Sequence, residues 1–384
     1  MIFIRSLLGL VVLLHLVCAN SANQKDPWIA KYNKMNANYS RSAWTRLFRE
    51  GRHSDCNPKT VLVRKAWESM RPAERIAYTN AVQCLQAQPA QTPPEIVPGA
   101  RTRFDDFLAL HINQTHTIHW TAIFLSWHRF YMWSYEKELR DTCGYKGAQP
   151  YWDWPRYGND PESGPMFNGR PDSMGSNGIY VPHNATITAP LGPNPAGALP
   201  PGTGGGCVHS GPFTNLTVNL GPVAIGHPIG DGSGYAYNPR CLSRDVNKFW
   251  SSSLTTYRNV TELIQTTHDI DSFQETLQGF TGVHGGGHFT IGGDPGNDIY
   301  ASPGDPIFYM HHAGVDRLWS IWQEIDPDHR TDVISGTFTL KNVPPSRNQT
   351  LNDTLNLGKI NEYEEVQIGT LVSTTRNRFC YIYE

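Results

Sequence analysis

Histidines recur in this chain at positions where an amphipathic helix places its buried face. Phe104, Phe107, Leu108 and His111 fall at i, i+3, i+4 and i+7, one stripe of an α-helix. His128 shares a second stripe with Tyr131, Tyr135 and Leu139, on a helix predicted from about Trp127 to Arg140. A third helix is predicted to start near Asp305 and Pro306, because Asp is a good N-cap and Pro is tolerated at the first helical position. It runs to about Glu324. Its apolar stripe holds Ile307, Val315, Leu318, Trp322 and His311, with His312 about 100° away. Helices that turn histidines inward build metal sites in bundle cores. The expected fold is therefore mainly α, with a four-helix-bundle core around a metal site, long irregular loops and a few short strands.

The rest of the chain fits around that core. Residues 57–88 read as helical until Pro89, Pro93 and Pro94 end the pattern, and helical pattern returns from about Val260 to Gly279. Between roughly 155 and 240, glycine and proline are dense, as in Pro190–Gly206 and Gly221–Pro239. Periodicity is lost there, which predicts surface loops that shape a site. From Val333 onward the pattern favours short strands and loops, such as Gly336–Leu340 and Glu365–Leu371. A length of 384 residues allows more than one domain, but composition does not divide the chain. A net charge of −2, with no block of like charges, excludes the basic footprint of a nucleic-acid binder. A small neutral molecule is the expected partner, with no membrane association after leader removal.

The N-terminus reads as a secretory leader of about residues 1–20. Arg5 is followed by an apolar run from Leu7 to Val17, too short to span a bilayer, and then by the small residues Ala19, Ser21 and Ala22. Export suits the glycosylation sequons at Asn38, Asn113, Asn184, Asn215, Asn259, Asn348 and Asn352. Removing the leader removes Cys18 and leaves Cys56, Cys84, Cys143, Cys207, Cys241 and Cys380, an even set that favours disulfides. Cys207–Cys241 would close the glycine-rich stretch, and Cys56–Cys380 would tie the two ends together.

Two histidine clusters carry the chemistry. The first holds His111, His116, His119 and His128; the second holds His284, His288 and the pair His311–His312. His284 and His288 stand four apart and would share a helix face. The three glycines between them are poor helix formers, each costing up to ~1 kcal/mol relative to Ala. That segment needs tertiary support or metal, or its glycines keep space open above the ions. No Glu follows His284, so the zinc-protease pattern is absent. An imidazole-rich, thiolate-free set suits copper, zinc, iron or nickel. A second cluster of the same kind points to two ions acting together.

The stretches that carry these histidines resemble the two copper motifs of the tyrosinase and catechol oxidase family. Phe104-Asp-Asp-Phe-Leu-Ala-Leu-His111, His119 and Phe124-Leu-Ser-Trp-His128-Arg-Phe-Tyr131 resemble the first motif, including the nine-residue step from His119 to His128. His284-x3-His288 and Asp305-Pro-Ile-Phe-Tyr-Met-His-His312-Ala-Gly-Val-Asp316-Arg-Leu-Trp319 resemble the second. Tyr151-Trp-Asp-Trp154 and Tyr381-Ile-Tyr383 extend the likeness over roughly residues 40–384, and the pattern is similar to the short secreted group of ascomycete fungi.

The resemblance implies two copper ions per chain, oxygen as co-substrate and small phenols as substrates. It gives His111, His119 and His128 to one copper and His284, His288 and His312 to the other. It implies one catalytic domain over residues 21–384, with no C-terminal shielding domain. A monomer is expected. His116 has no counterpart among the family ligands. Asp316, one turn beyond His312, would orient a ligand imidazole; a surface pair with Arg317 is the alternative. Phe124, Trp127, Phe130 and Phe308 would wall the site. Thr117 stands where many members carry a thioether-forming cysteine, so none is expected. Gly285 stands where tyrosinases often have Asn. Gln278, or Glu275 if the loop is offset, stands near the place of a family Glu. Ile299 or Tyr300 would be the gate residue. Without the Asn–Glu pair a phenol, with a pKa of about 10, is harder to deprotonate. Catechol oxidation is therefore expected over monophenol hydroxylation. Full tyrosinase activity, an oxygen carrier resembling hemocyanin and a one-cluster zinc hydrolase are the alternatives.

Overall fold

In the computed structural model the histidine stripes lie on helices that meet at one place. The structure describes residues 26–384, apart from 52–54, 189, 192, 194–196 and 227–229. The leader expected over residues 1–20 lies outside the described residues. Among the described residues, nine helices of seven residues or more carry the fold. They are α1 (Pro27–Glu50), α2 (Pro72–Ala87), α3 (Arg103–Ile118), α4 (Phe124–Asp141), α5 (Lys248–Leu254), α6 (Tyr257–Thr266), α7 (Ile270–Gln278), α8 (Val283–Ile291) and α9 (Ile307–Ile325). Among the described residues, no helix is long and apolar enough to cross a membrane.

Local chemistry sets the helix starts. Thr102 and Asp105 form a reciprocal capping box at α3: Asp105 N donates to Thr102 Oγ1 (3.2 Å) and Thr102 N to Asp105 Oδ2 (2.9 Å). Asp305 accepts from Ile307 N (2.9 Å) at the start of α9, while its carboxylate grips the buried Arg244 at 2.7 and 2.8 Å. The predicted helix over Val260–Gly279 is instead two, α6 and α7. Asp269 breaks it by capping α7, accepting from Ser272 N at 2.8 Å.

α9 is the central element, buried along its length and packed on α1, α4, α6 and α8. Sheet structure is confined to short pairs. β1 (Leu62–Arg64) pairs in parallel with β2 (Tyr381–Tyr383), with Leu62 opposite Tyr381 and Arg64 opposite Tyr383. This corrects the helical reading of residues 57–88, of which α2 is the α-helical part and Trp67–Ser69 a single 3₁₀ turn. A tertiary partner from the far end of the chain overrides the local pattern. Cys56–Cys380 clamps the same junction, and Cys207–Cys241 and Cys84–Cys143 complete the pairing. In the C-terminal region Val366–Gln367 pairs with Thr354–Leu355, within the predicted Glu365–Leu371 strand. Gly336–Leu340 forms no ladder: Gly336 takes φ +124°, and only an isolated bridge joins Thr337 to Asn348. Among its described residues, the predicted irregular stretch between 155 and 240 holds only turns, short 3₁₀ helices and strands of two to four residues.

One half-buried acid near this junction, Glu68, sets a pH dependence. The Glu68 Oε1 atom is buried without a partner, and Oε2 accepts from Asp153 N at 3.3 Å. Burial, and then the Asp153 charge, push the Glu68 carboxyl up to about 8. The folded chain thus holds a proton that the unfolded chain releases above its ordinary pKa of about 4.3. The stability from this group is fully present below about pH 4 and is lost as pH rises to about 8. Glu68→Gln is expected to remove that part of the slope. Urea midpoints of both proteins at about pH 5, 6.5 and 8 check this, and parallel slopes would refute it.

Candidate metal centre

Three histidines converge at the junction of α3 and α4. His111 faces inward from α3, His119 is the C-cap of the same helix and His128 lies in the second turn of α4; all three are buried. One ring nitrogen from each lies within 4.8 Å of the others, so the three could hold one ion. Each ring's Nδ1 meets a backbone carbonyl: His111 at Tyr300 O (2.8 Å), His119 at Thr115 O (2.9 Å) and His128 at Phe124 O (2.8 Å). A carbonyl only accepts, so Nδ1 carries the proton and Nε2 presents its lone pair. The Nε2 atoms of His111 and His128 are buried with no hydrogen-bond partner.

The second group lies between α8 and α9. His284 and His288 share a face of α8, as their spacing predicts. His288 Nε2 stands 3.2 Å from both His284 Nε2 and His312 Nε2. Nitrogens bound at about 2 Å to one tetrahedral ion stand roughly 3.3 Å apart. His312 also stacks on His128 at 4.4 Å and 14°, which sets the two groups side by side.

His311 belongs to the same neighbourhood but is differently engaged. Trp154 Nε1 donates to His311 Nδ1 at 3.1 Å, so that nitrogen's lone pair is taken and the proton sits on Nε2. His311 is thus the opposite tautomer to the first three histidines. Its ring lies against Gly287, where a Cβ would overlap it. Gly286 packs on Leu254, at 2.6 Å from where its Cβ would be. These glycines do not open space above the site; they let α8 close onto α9 and α5.

Burial pushes these imidazoles down, His119 to about 4 and His311 to about 3, with the other five also well below the ordinary value. All are neutral at neutral pH, the form a metal binds. Rings close the walls. Phe308 lies 4.2 Å from His312 and 5.2 Å from His111, Phe124 lies 4.8 Å from His128 and 5.0 Å from His284, and Trp127 lies 4.8 Å from His128. Phe130 instead turns to Trp133 and Phe379, away from the site.

Several expected site residues have other partners. Asp316 touches no histidine and does not pair with Arg317. It is buried and accepts from Arg129 (2.5 Å), Arg64 (3.4 Å), Tyr381 (2.7 Å) and Tyr383 (2.6 Å). Burial alone would raise its carboxyl, but Arg129 and Arg64 hold it below the usual range. Glu275 is exposed, whereas Gln278 is buried and accepts from Trp120 N at 2.8 Å. Gly285 and Ile299 are half-buried. Tyr300 is half-buried too. Its carbonyl serves His111, and its hydroxyl bonds to exposed His116 Nε2 at 2.8 Å. Among the sequons, Asn259 is half-buried and donates to Ser253 O and Leu254 O, while the other six asparagines are exposed.

Sequence reasoning missed Asp298. This fully buried carboxylate accepts from Tyr300 N (2.9 Å), Ala301 N (3.3 Å), Val223 N (2.5 Å) and Ala224 N (3.0 Å). It thereby places the carbonyl that orients His111. No local periodicity marks it, since every partner is backbone. The role of Trp154 was missed for another reason: its motif stands out, but its hydrogen bond crosses 157 residues.

The model of the common central domain of tyrosinase matches residues 101–325, the span that holds both histidine groups. The chain belongs to the tyrosinase family. This is a family of oxidoreductases that use a copper pair and oxygen. The tyrosinase-like protein orsC of Emericella nidulans is 40% identical over 309 residues, covering 76% of this chain and 83% of that one. Tyrosinase P of Aspergillus terreus is 38% identical over 335 residues, covering 84% and 91%. A solved mutant of the polyphenol oxidase from Thermothelomyces thermophila superposes with a TM-score of 0.87 at 40% identity, over 92% of this chain and 98% of that one. For a tyrosinase-family protein the donor set is apt: partnerless Nε2 atoms and one trio at the spacing of a shared ion are what a copper pair requires.

Proposed function

We propose that the chain is a secreted copper oxidase that converts o-diphenols to o-quinones while oxygen is reduced to water. The observation that carries this reading is the pair of neutral imidazole groups, buried except for half-buried His288, set side by side. In this reading α3, α4, α8 and α9 are the four-helix bundle of a single catalytic domain. His111, His119 and His128 would hold one copper, and His284, His288 and His312 the other. The copper pair, when bound, supplies the redox chemistry with oxygen. The three disulfides and the predicted leader support export.

The chain's own residues orient and enclose. Tyr300, Thr115 and Phe124 fix the first three rings through their carbonyls, and Phe308, Phe124 and Trp127 keep water from the imidazoles. Diphenol preference rests on what borders α8. Gly285 has no side chain, Gln278 is an amide already bonded to Trp120 N, and Glu275 is exposed. None of these is a base placed to take a proton from a phenol whose pKa is about 10. A catechol needs less help.

Oxygen uptake by the copper-loaded protein, with 4-tert-butylcatechol and 4-tert-butylphenol in parallel, tests both parts. Uptake with the catechol alone is expected. Uptake with both would keep the oxidase and overturn the argument from Gly285 and Gln278. No uptake with either, at two coppers per chain, would turn the reading towards an oxygen carrier.

A further inference from the structure

The way into the site is marked by exposure. Of the histidines in the two groups only His288 is half-buried; the others are buried. Gly285 and Phe289 are also half-buried, and positions 285, 288 and 289 share one face of α8. Among the histidines of the two groups, exposure therefore lies on that face, beside Gly285.

An aromatic group borders this face. Phe280, in the turn before α8, is 54% exposed, yet its ring is held 5.2 Å from Phe289 and 6.0 Å from Trp250. Trp250 on α5 is buried beneath, 5.1 Å from Phe289, and Phe249, 58% exposed, continues the surface at 5.0 Å. A Cβ on Gly285 would stand 3.2 Å from both Phe280 O and the Phe289 ring. Gly285, between His284 and His288 in the chain, thus adjoins Phe280 and Phe289 with no side chain of its own. The Tyr300–His116 pair, on α3's side of the centre, is polar.

We infer that Phe280, Phe289 and Trp250 form a substrate shelf that holds the distal ring of a phenol bearing an aromatic substituent. This rests on the oxidase reading above and adds the substrate class: a two-ring or extended aryl catechol rather than a simple one. Rings at centroid separations of 4.5–7 Å gain from stacked or edge-to-face contact beyond burial alone. Continuity with the face that bears His288 is what commits the shelf to substrate.

The test compares biphenyl-3,4-diol with 4-methylcatechol by oxygen uptake, in the wild type, Phe280→Ser and Phe280→Leu. The wild-type ratio of kcat/KM is expected to favour the biphenyl about tenfold. Phe280→Ser should lower that ratio about tenfold, chiefly through KM, and Phe280→Leu should recover part of it. Phe280 is mostly exposed, so neither variant threatens folding. Saturation-transfer NMR on the copper-loaded protein under argon gives a readout without turnover. The distal-ring protons should receive more saturation than the catechol ring in the wild type, and lose that excess in Phe280→Ser. A wild-type ratio near one, or a ratio unmoved by Phe280→Ser, overturns the shelf. If light scattering then shows a wild-type dimer and a Phe280→Ser monomer, the surface is a contact between copies. Absence of oxygen uptake with both diols overturns the oxidase reading instead, and the NMR contrast still judges the shelf.

Discussion

Gly287→Ala is expected to cost this protein one of its two proposed coppers. The added methyl group would overlap the His311 ring, which Trp154 pins through Nδ1 and which is fully buried. Overpacking of this kind costs about 1–3 kcal/mol. Alanine's better helix propensity returns up to ~1 kcal/mol. Relief requires α8 to move off α9, and α8 carries both His284 and His288. Metal analysis after dialysis against a mild chelator should find the first copper retained and the second lost. Gly287→Ala combined with His311→Ala restores the room and should recover the second ion, while His311→Ala alone should keep both. Copper loss in His311→Ala alone would make His311 a ligand and overturn the assignment of His312.

Asp316→Asn should unfold the chain more easily while leaving the proposed copper sites filled. The carboxylate balances Arg129 and Arg64 and accepts from two tyrosine hydroxyls, all buried. An amide removes the charge and aims an N–H₂ group at a donor. Removing one member of a buried ion pair costs about 3–5 kcal/mol. Urea unfolding of wild type and variant measures the loss, and metal analysis of the folded variant measures the copper. Copper loss at unchanged stability would restore the expectation that Asp316 orients a ligand.

The helices that bear the two histidine groups were legible because their burial is written at a period the chain itself displays. His111 sits at i+7 from Phe104, and α3 bears it inward. His284 and His288 were legible as a pair, but the reason for their glycines was not. Gly287 answers to His311, twenty-four positions away, and Gly286 to Leu254. β1 was misread as helix because its partner, Tyr381–Tyr383, enters from the other end of the chain. Asp316 was placed in the right neighbourhood with the wrong partners, since Arg64 and Arg129 carry no sign in the sequence that they point at it. Asp298 was invisible for a related reason: a residue that serves only main-chain groups leaves no complementary side chain to notice.

The carbonyls that hold His111, His119 and His128 have a consequence for how such a centre changes over evolutionary time. The fixing groups belong to the main chain of Tyr300, Thr115 and Phe124, so they persist whatever side chains those positions carry. Ring orientation in the first histidine group is thus inherited from the path of the backbone. The rim is free to vary in side-chain identity, and on the oxidase reading proposed above successive descendants of one scaffold can take up different phenols without rebuilding the histidine centre.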